Sequence, residues 1–202
     1  MQKIQFKLWR NEAQPNKPAP DNKIFSIYLD NDDELYMGTL YGGLLHCNTK
    51  TEKMQYYKPS SILNNSSESK NIYSVIKGEG NLLWIATRAG LFSFDKVTKE
   101  FKQYIDQIDE QTVELTVLLK LKNTNKLLIA GYNGGIRLFN LDTRSFEKCN
   151  DQQGFLSQNL LRVRYMQEVE DGNIYMSTEA QNFIKYNYNS GIFTTYPELK
   201  KI

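Results

Sequence analysis

Leu83-Trp84-Ile85-Ala86-Thr87, with Gly90-Leu91-Phe92-Ser93-Phe94-Asp95 three residues on, is the stretch whose reading decides the fold. Its first element recurs as Leu35-Tyr36-Met37-Gly38-Thr39, Leu127-Leu128-Ile129-Ala130-Gly131 and Ile174-Tyr175-Met176-Ser177-Thr178. The leading residues are 48, 44 and 47 positions apart. Eight or nine residues after each stands an apolar residue, Leu44, Leu91, Ile136 or Phe183, the first three preceded by Gly43, Gly90 and Gly135. Ten residues further lies an aromatic-x-x-aromatic pair: Phe101 and Tyr104, Phe193 and Tyr196, with looser copies Met54 and Tyr57, Phe146 and Cys149. Self-similarity at such a period is the mark of a repeat architecture.

Working outward, the apolar residues of the second repeat follow a period of two. Ile72 to Ile76 reads as a strand, Lys77 to Asn81 as a turn and Leu82 to Thr87 as a second strand. Leu91 to Phe94 makes a third strand and Glu100 to Tyr104 a fourth. β-Branched and aromatic residues between Gly, Asn and Asp clusters are the hairpin signal. No window carries the i, i+3, i+4, i+7 pattern of a helix. The polar stretch Ser60 to Ser69 is rich in Asn and Ser and reads as a loop.

Four short antiparallel strands in each repeat of about 45 residues describe a β-propeller blade. A β-sandwich also has many short strands, but has no reason to repeat its sequence at a fixed interval. The expected fold is therefore all-β, with four-stranded blades at about 22–58, 70–106, 113–151 and 159–197 in a single domain spanning 1–202. Phe6-x-x-Trp9 matches the aromatic pair 48 residues before Met54-x-x-Tyr57, so residues 3–9 read as the outer strand of a further blade. That surplus strand predicts a segment of a larger propeller, completed by further blades of a parent chain or by a second copy as a homodimer.

The net charge of +2, with acids and bases interspersed, leaves no basic stripe for nucleic acid and no polybasic membrane patch. No stretch approaches the ~20 apolar residues of a membrane span, and residues 1–20 lack the apolar core of a signal peptide. Cys47 and Cys149 fall two blades apart, in a third and a fourth strand, and are read as unpaired thiols.

Catalytic residues, a metal set and a cofactor motif are not found. The single histidine, His46, falls in a third strand and reads as structural. Asp30-Asn31-Asp32-Asp33-Glu34 has the acidic alternation of a calcium loop without its central glycine and distal Glu. It occupies the same turn as Lys77 to Asn81, so a hairpin turn explains it. Paired carboxylates for glycoside hydrolysis would have to come from separate blades.

The second repeat, from Ile72-Tyr73-Ser74-Val75 through Leu83-Trp84-Ile85-Ala86-Thr87 to Gly90-Leu91-Phe92-Ser93-Phe94-Asp95, resembles the two-component-regulator propeller repeat. The first matches as Ile24-Phe25-Ser26-Ile27-Tyr28-Leu29-Asp30, Leu35-Tyr36-Met37-Gly38-Thr39 and Gly42-Gly43-Leu44, with Tyr36 at the tryptophan position. The third departs at Leu128 and Gly131 yet keeps Gly134-Gly135-Ile136; the fourth has Ala180-Gln181-Asn182 where glycines are expected. The resemblance implies the periplasmic sensor region of a bacterial hybrid two-component system of the glycan-utilisation type. In that family a membrane helix, a histidine kinase, a receiver and a DNA-binding domain follow in the same polypeptide, none of which lies in these 202 residues. Signalling chemistry is thus expected elsewhere. Tyr36, Gly43, Trp84, Gly90 and Gly135 are read as scaffold residues, large rings between blades and glycines for tight turns.

Propellers commonly bind ligands at the loops joining second and third strands. Here these carry Tyr41, Arg88, Tyr132, Asn133, Glu179 and Gln181, and they differ while their flanking strands repeat. Tyrosine rings suit the apolar faces of sugars, and Arg, Asn, Glu and Gln suit hydroxyls and carboxylates. The six are the candidate ligand-binding residues, with an oligosaccharide as the expected ligand. The alternative is a protein–protein scaffold, and a third reading is a propeller hydrolase or lyase.

Overall fold

The computed structural model describes residues 23–60, 70–106, 114–132, 135–158, 163–170, 172–179 and 182–196. The strand expected over 3–9 and the loop expected over 61–69 lie outside them. Among the described residues the chain forms four antiparallel sheets of four strands, each in simple chain order. Sheet 1 holds β1 (Ile24–Asn31), β2 (Glu34–Thr39), β3 (Gly43–Asn48) and β4 (Met54–Tyr57). Sheet 2 holds β5 (Ile72–Lys77), β6 (Leu82–Thr87), β7 (Gly90–Asp95) and β8 (Phe101–Tyr104). Sheet 3 holds β9 (Leu115–Lys120), β10 (Lys126–Gly131), β11 (Ile136–Asn140) and β12 (Ser145–Lys148). Sheet 4 holds β13 (Val163–Glu168), β14 (Asn173–Thr178), β15 (Asn182–Asn187) and β16 (Ile192–Thr195). First strands of successive sheets lie against one another, β1 on β5, β5 on β9 and β9 on β13. The array is a β-propeller arc with those strands at its inner edge.

The period of two explains why the motifs hold successive sheets together. Neighbouring residues of a strand point to opposite faces, so Trp84 and Ile85 serve different joints. Trp84 packs with Leu115, Leu127 and Phe139 of sheet 3, whereas Ile85 packs with Tyr36 and Leu44 of sheet 1. The odd spacing of the aromatic pair does the same. Phe101 meets Phe94 on the sheet 1 side at 4.8 Å, and Tyr104 meets Trp84 and Phe139 on the sheet 3 side at 5.2 and 5.1 Å. In sheet 3, Phe146 joins the sheet 2–3 cluster and Cys149 the sheet 3–4 cluster. Two-faced sheets therefore bury one apolar cluster at each of the three joints, and a fourth, of Met37, Leu45 and Cys47, lies on the face of sheet 1 turned away from sheet 2.

Small residues sit where sheets approach most closely. A Cβ on Gly38 would lie 2.6 Å from Ile72 Cγ2 and 2.8 Å from the Ile72 carbonyl. The turns between second and third strands need left-handed backbone at Gly43 (φ 87°), Gly90 (φ 101°) and Gly135 (φ 61°), a region that glycine enters without a Cβ clash. The threonine that ends the repeated element closes the same turn. Thr39 Oγ1 donates to the Gly43 carbonyl at 2.8 Å and Thr87 Oγ1 to that of Gly90 at 2.9 Å.

Several local details differ from the sequence reading. The fourth strand of sheet 2 starts at Phe101, not Glu100, and β7 runs from Gly90 to Asp95. The β11–β12 ladder ends at the Arg137–Lys148 pair, so Cys149 lies just past its strand. Asn182 pairs with Thr178 and opens β15 instead of belonging to the loop. A 3-10 turn, Phe155–Gln158, precedes sheet 4 without any helical periodicity to announce it. It is held by Asp151, whose carboxylate accepts from the amides of Phe155 at 2.9 Å and Leu156 at 2.7 Å, as an N-terminal cap does.

The acidic cluster forms the β1–β2 hairpin, and its carboxylates diverge. Asp30 bonds Lys96 of sheet 2 at 2.7 Å, Asp33 bonds Lys50 at 2.6 Å, and Glu34 bonds His46 and Asn48. His46 stacks on Tyr36 at 4.6 Å. Cys47 and Cys149 are both free thiols.

Candidate functional site

Each inner strand starts with a local irregularity at the same place. Register shifts fall between Ile24 and Ser26, Ile72 and Ser74, and Val163 and Tyr165, and where β9 pairs Leu115 and Val117 with Gly131 and Ala130. The residues left out of the ladder are Phe25, Tyr73, Thr116 and Arg164. A bulge re-aims a side chain and breaks regular pairing. Here it lies beside the loops that join second and third strands. Backbone bonds keep the two together: Leu40 N–H to Lys23 O, Arg88 N–H to Asn71 O and Tyr132 N–H to Glu114 O, at 3.0, 3.1 and 2.9 Å.

Two tyrosine–glutamate–arginine groups result. In the first, Tyr73 Oη donates to Glu114 Oε1 at 3.0 Å, and Arg88 Nε lies 3.5 Å from Glu114 Oε2. In the second, Tyr132 Oη donates to Glu179 Oε1 at 3.3 Å and Arg164 Nε donates to the same oxygen at 2.6 Å. The Arg164 guanidinium also lies over the Tyr132 ring, 4.8 Å from its centroid. A cation held on a ring face gains from the ring quadrupole. Phe25 meets the Tyr73 ring edge-on at 5.3 Å.

The two groups feel each other. Burial and then the Glu114 carboxylate push the Tyr73 phenol up to about 12, with Arg88 opposing. Burial also raises the Tyr132 phenol, helped by Glu179 and Glu114 and opposed by Arg164. Both phenols stay protonated, and therefore hydrogen-bond donors, across the physiological range. Arg88 and Arg164 remain about half exposed, so ligand oxygens can reach them.

Of the six candidates from sequence, Arg88 falls in the first group, and Tyr132 and Glu179 in the second. Tyr41 lies apart with an exposed ring. Its left-handed backbone (φ 65°) is held by a bond from its amide to Asn71 Oδ1 at 2.9 Å. Asn133 and Gln181 lie outside the described residues. The sequence reading missed Tyr73, Glu114 and Arg164. A signal existed for two of them: Tyr73 and Arg164 stand at one repeat position, with Phe25 and Thr116, and that position varies as freely as the loops do. No group of His, Cys, Asp and Glu among the described residues is arranged to hold a metal ion.

Residues 18–41 match the two component regulator propeller family. No curated protein matches the chain. Among solved structures it is similar to the extracellular domain of BT3049 from B. thetaiotaomicron, described as a hybrid two component system. That match has 20% identity and a TM-score of 0.69, covering 88% of this chain and 25% of that one. The extracellular domain of BT4673 from B. thetaiotaomicron, described in the same way, is 18% identical with a TM-score of 0.69, over 92% of this chain and 23% of that one. The computationally designed Ika8 protein is 12% identical with a TM-score of 0.56, over 83% of this chain and 46% of that one. At these identities the likeness is one of fold, and the chain spans about a quarter of the natural domains' length.

Proposed function

We propose that this chain is a non-enzymatic signal-input segment of an extracytoplasmic propeller in a bacterial two-component sensor, and that it binds oligosaccharides released from glycans. The observation that carries the reading is the pair of Tyr–Glu–Arg groups at the loop face. Aromatic rings cover the apolar faces of a sugar, while carboxylate and guanidinium groups bond its hydroxyls. The family match over residues 18–41 and the fold shared with extracellular domains of hybrid two component systems support the same reading.

Each group bridges two sheets. Tyr73 and Arg88 belong to sheet 2 and Glu114 leads into sheet 3; Tyr132 belongs to sheet 3 and Glu179 and Arg164 to sheet 4. A ligand that takes over one of these bonds trades an inter-sheet contact for its own. Binding is thereby coupled to how neighbouring blades sit, which is how a rigid repeat array passes on a signal. A shift of equilibrium requires this differential contact.

Calorimetric titration with a panel of neutral oligosaccharides tests the reading, alongside chromatography of the same mixtures for cleaved products. Saturable binding without product, weakened at least tenfold in Arg164→Ala and Glu114→Gln, is the expected result. Product release would make the chain an enzyme. Binding of no sugar, together with capture of a protein by the same loop face, would make it a scaffold.

A further inference from the structure

The three internal joints differ at one position, beside the hairpins that link first and second strands. Leu29, Lys77, Lys120 and Glu168 pair with the first residue of the repeated element, Leu35, Leu83, Leu127 and Ile174, and are therefore equivalent. So are the residues that follow them, Asp30, Gly78, Leu121 and Val169. In the joint between sheets 1 and 2 the follower is Asp30, whose carboxylate accepts from Lys96 at 2.7 Å and from Tyr28 at 3.0 Å. In the joint between sheets 3 and 4 it is Leu121, fully buried in the apolar cluster. In the middle joint it is Gly78, which brings no side chain. A Cβ there would lie 2.8 Å from the Leu82 carbonyl oxygen, so the hairpin itself excludes one.

A cleft of about 520 Å³ lies at this place between sheets 2 and 3. Ile76, Leu118 and Leu119 give it apolar walls, and Gly78, Lys120 and Asn125 line it with them. Its size falls within the ~300–1,000 Å³ of small-molecule sites. Lys120 occupies the position that Lys77 holds in sheet 2, and Lys77 faces Asp30 and helps to hold its carboxyl low. Lys120 has no such carboxylate opposite it. Among the described residues its ammonium bonds Asn125 Oδ1 at 2.9 Å. The two nearest acids are engaged elsewhere: Glu79 lies 3.5 Å from Arg144, and Asp142 accepts from Asn125. Although the Lys120 side chain is largely exposed, loss of water around its ammonium holds it below the usual lysine value, with Glu79 and Asp142 opposing.

We propose that this cleft binds a small organic anion, an apolar body that ends in a single carboxylate. The body covers Ile76, Leu118 and Leu119, and the carboxylate faces Lys120 as Asp30 faces Lys77 in the preceding joint. The ligand thus supplies the acidic group that the turn at Gly78 excludes. A hydrogen bond between ionised partners is stronger than a neutral one, and removing the apolar body from water adds to it. One ammonium in the cleft calls for one negative charge. The cleft sits at the end of the strands away from the Tyr–Glu–Arg groups and shares no residue with them, so the proposal does not depend on the oligosaccharide reading.

Calorimetric titration of the chain with octanoate, acetate, octanol and octylamine tests it, with circular dichroism to check that variants are folded. Octanoate is expected to bind saturably, one per chain, and acetate and octylamine at least tenfold more weakly. Lys120 is exposed, so Lys120→Met and Lys120→Glu both fold. Lys120→Met weakens octanoate at least tenfold and leaves octanol unchanged, whereas Lys120→Glu reverses the preference in favour of octylamine. A wild-type chain that binds no octanoate overturns the proposal. Octanoate binding of undiminished strength in Lys120→Glu overturns it too, because the anion then sits on another apolar surface. So does acetate binding as tight as that of octanoate, since the apolar walls then contribute nothing.

Discussion

The side chain of Ser26 accepts a hydrogen bond from the backbone amide of Val75 at 2.9 Å, fastening the inner strand of one sheet to that of the next. Thr116 does a related job two sheets on, where Val117 replaces the serine. Its hydroxyl donates to the Val163 carbonyl at 2.6 Å. Ser26→Ala leaves the Val75 amide without this partner in a largely apolar joint, a loss of about 1–2 kcal/mol. Urea unfolding followed by fluorescence is expected to show an earlier midpoint with an unchanged slope.

Trp84 is fully buried, against Tyr104 and Phe139 at 5.2 Å each. Trp84→Ala opens a cavity at the centre of the sheet 2–3 joint, for a loss of about 3–5 kcal/mol. The indole Nε1 is buried without a hydrogen-bond partner, so Trp84→Phe sacrifices volume and no bond. Thermal denaturation of the two variants should place the phenylalanine form much nearer to wild type.

Gly131 departs from the threonine that ends the repeated element in the other sheets, and its surroundings explain why. A Cβ there would lie 1.8 Å from the Glu114 carbonyl oxygen, a backbone atom that cannot swing aside. Gly131→Ala forces the strand leading into β9 to move, for a loss of roughly 1–3 kcal/mol by overpacking. Restoring the repeat with Gly131→Thr is expected to be worse. Because Glu114 belongs to the candidate site, calorimetry on Gly131→Ala should also show weaker ligand binding.

Asp30 reports on the first joint through pH. Burial pushes its carboxyl up, but the bonds from Lys96 and Tyr28 outweigh this and hold it below its usual value. A folded value below the unfolded one means stability that is present above the unfolded value, near 4, and is lost as pH falls through the lowered folded value. Urea midpoints measured from pH 7 down to pH 3 should fall less steeply in Asp30→Asn than in wild type. An unchanged slope in that variant would remove Asp30 from the account.

For Tyr73 the direction is opposite. Its phenol titrates at about 12, raised by burial and then by Glu114. The stability it contributes is present below the unfolded value near 10 and is lost as pH rises through the folded one. Burial also raises the phenols of Tyr28, Tyr36 and Tyr186, so absorbance titration should show several late-ionising phenols in wild type and one fewer in Tyr73→Phe. Ligand affinity at the same site should stay flat between pH 6 and 9.

Much of the blade was legible from residues alone. Leu83-Trp84-Ile85-Ala86-Thr87 alternates between faces, and its recurrence sets the strands; the odd spacing of Phe101 and Tyr104 marks residues that serve different joints. The 3-10 turn at Phe155–Gln158 was not legible, because it depends on a single carboxylate, that of Asp151. Half of the site was missed for a related reason. Arg88, Tyr132 and Glu179 stood out as loop residues, whereas Tyr73 and Arg164 sit inside strands and are turned toward the loops only by bulges.

What the sequence by itself determined is therefore periodic: four blades, their strand order, and the residues that alternate between joints, since side-chain direction in a strand follows from position modulo two. What only the tertiary structure decided is how separate blades meet. The pairing of Tyr73 with Glu114 and of Tyr132 with Glu179 spans 41 and 47 residues of chain, and no local pattern encodes a contact between elements whose separation is set by sheet packing.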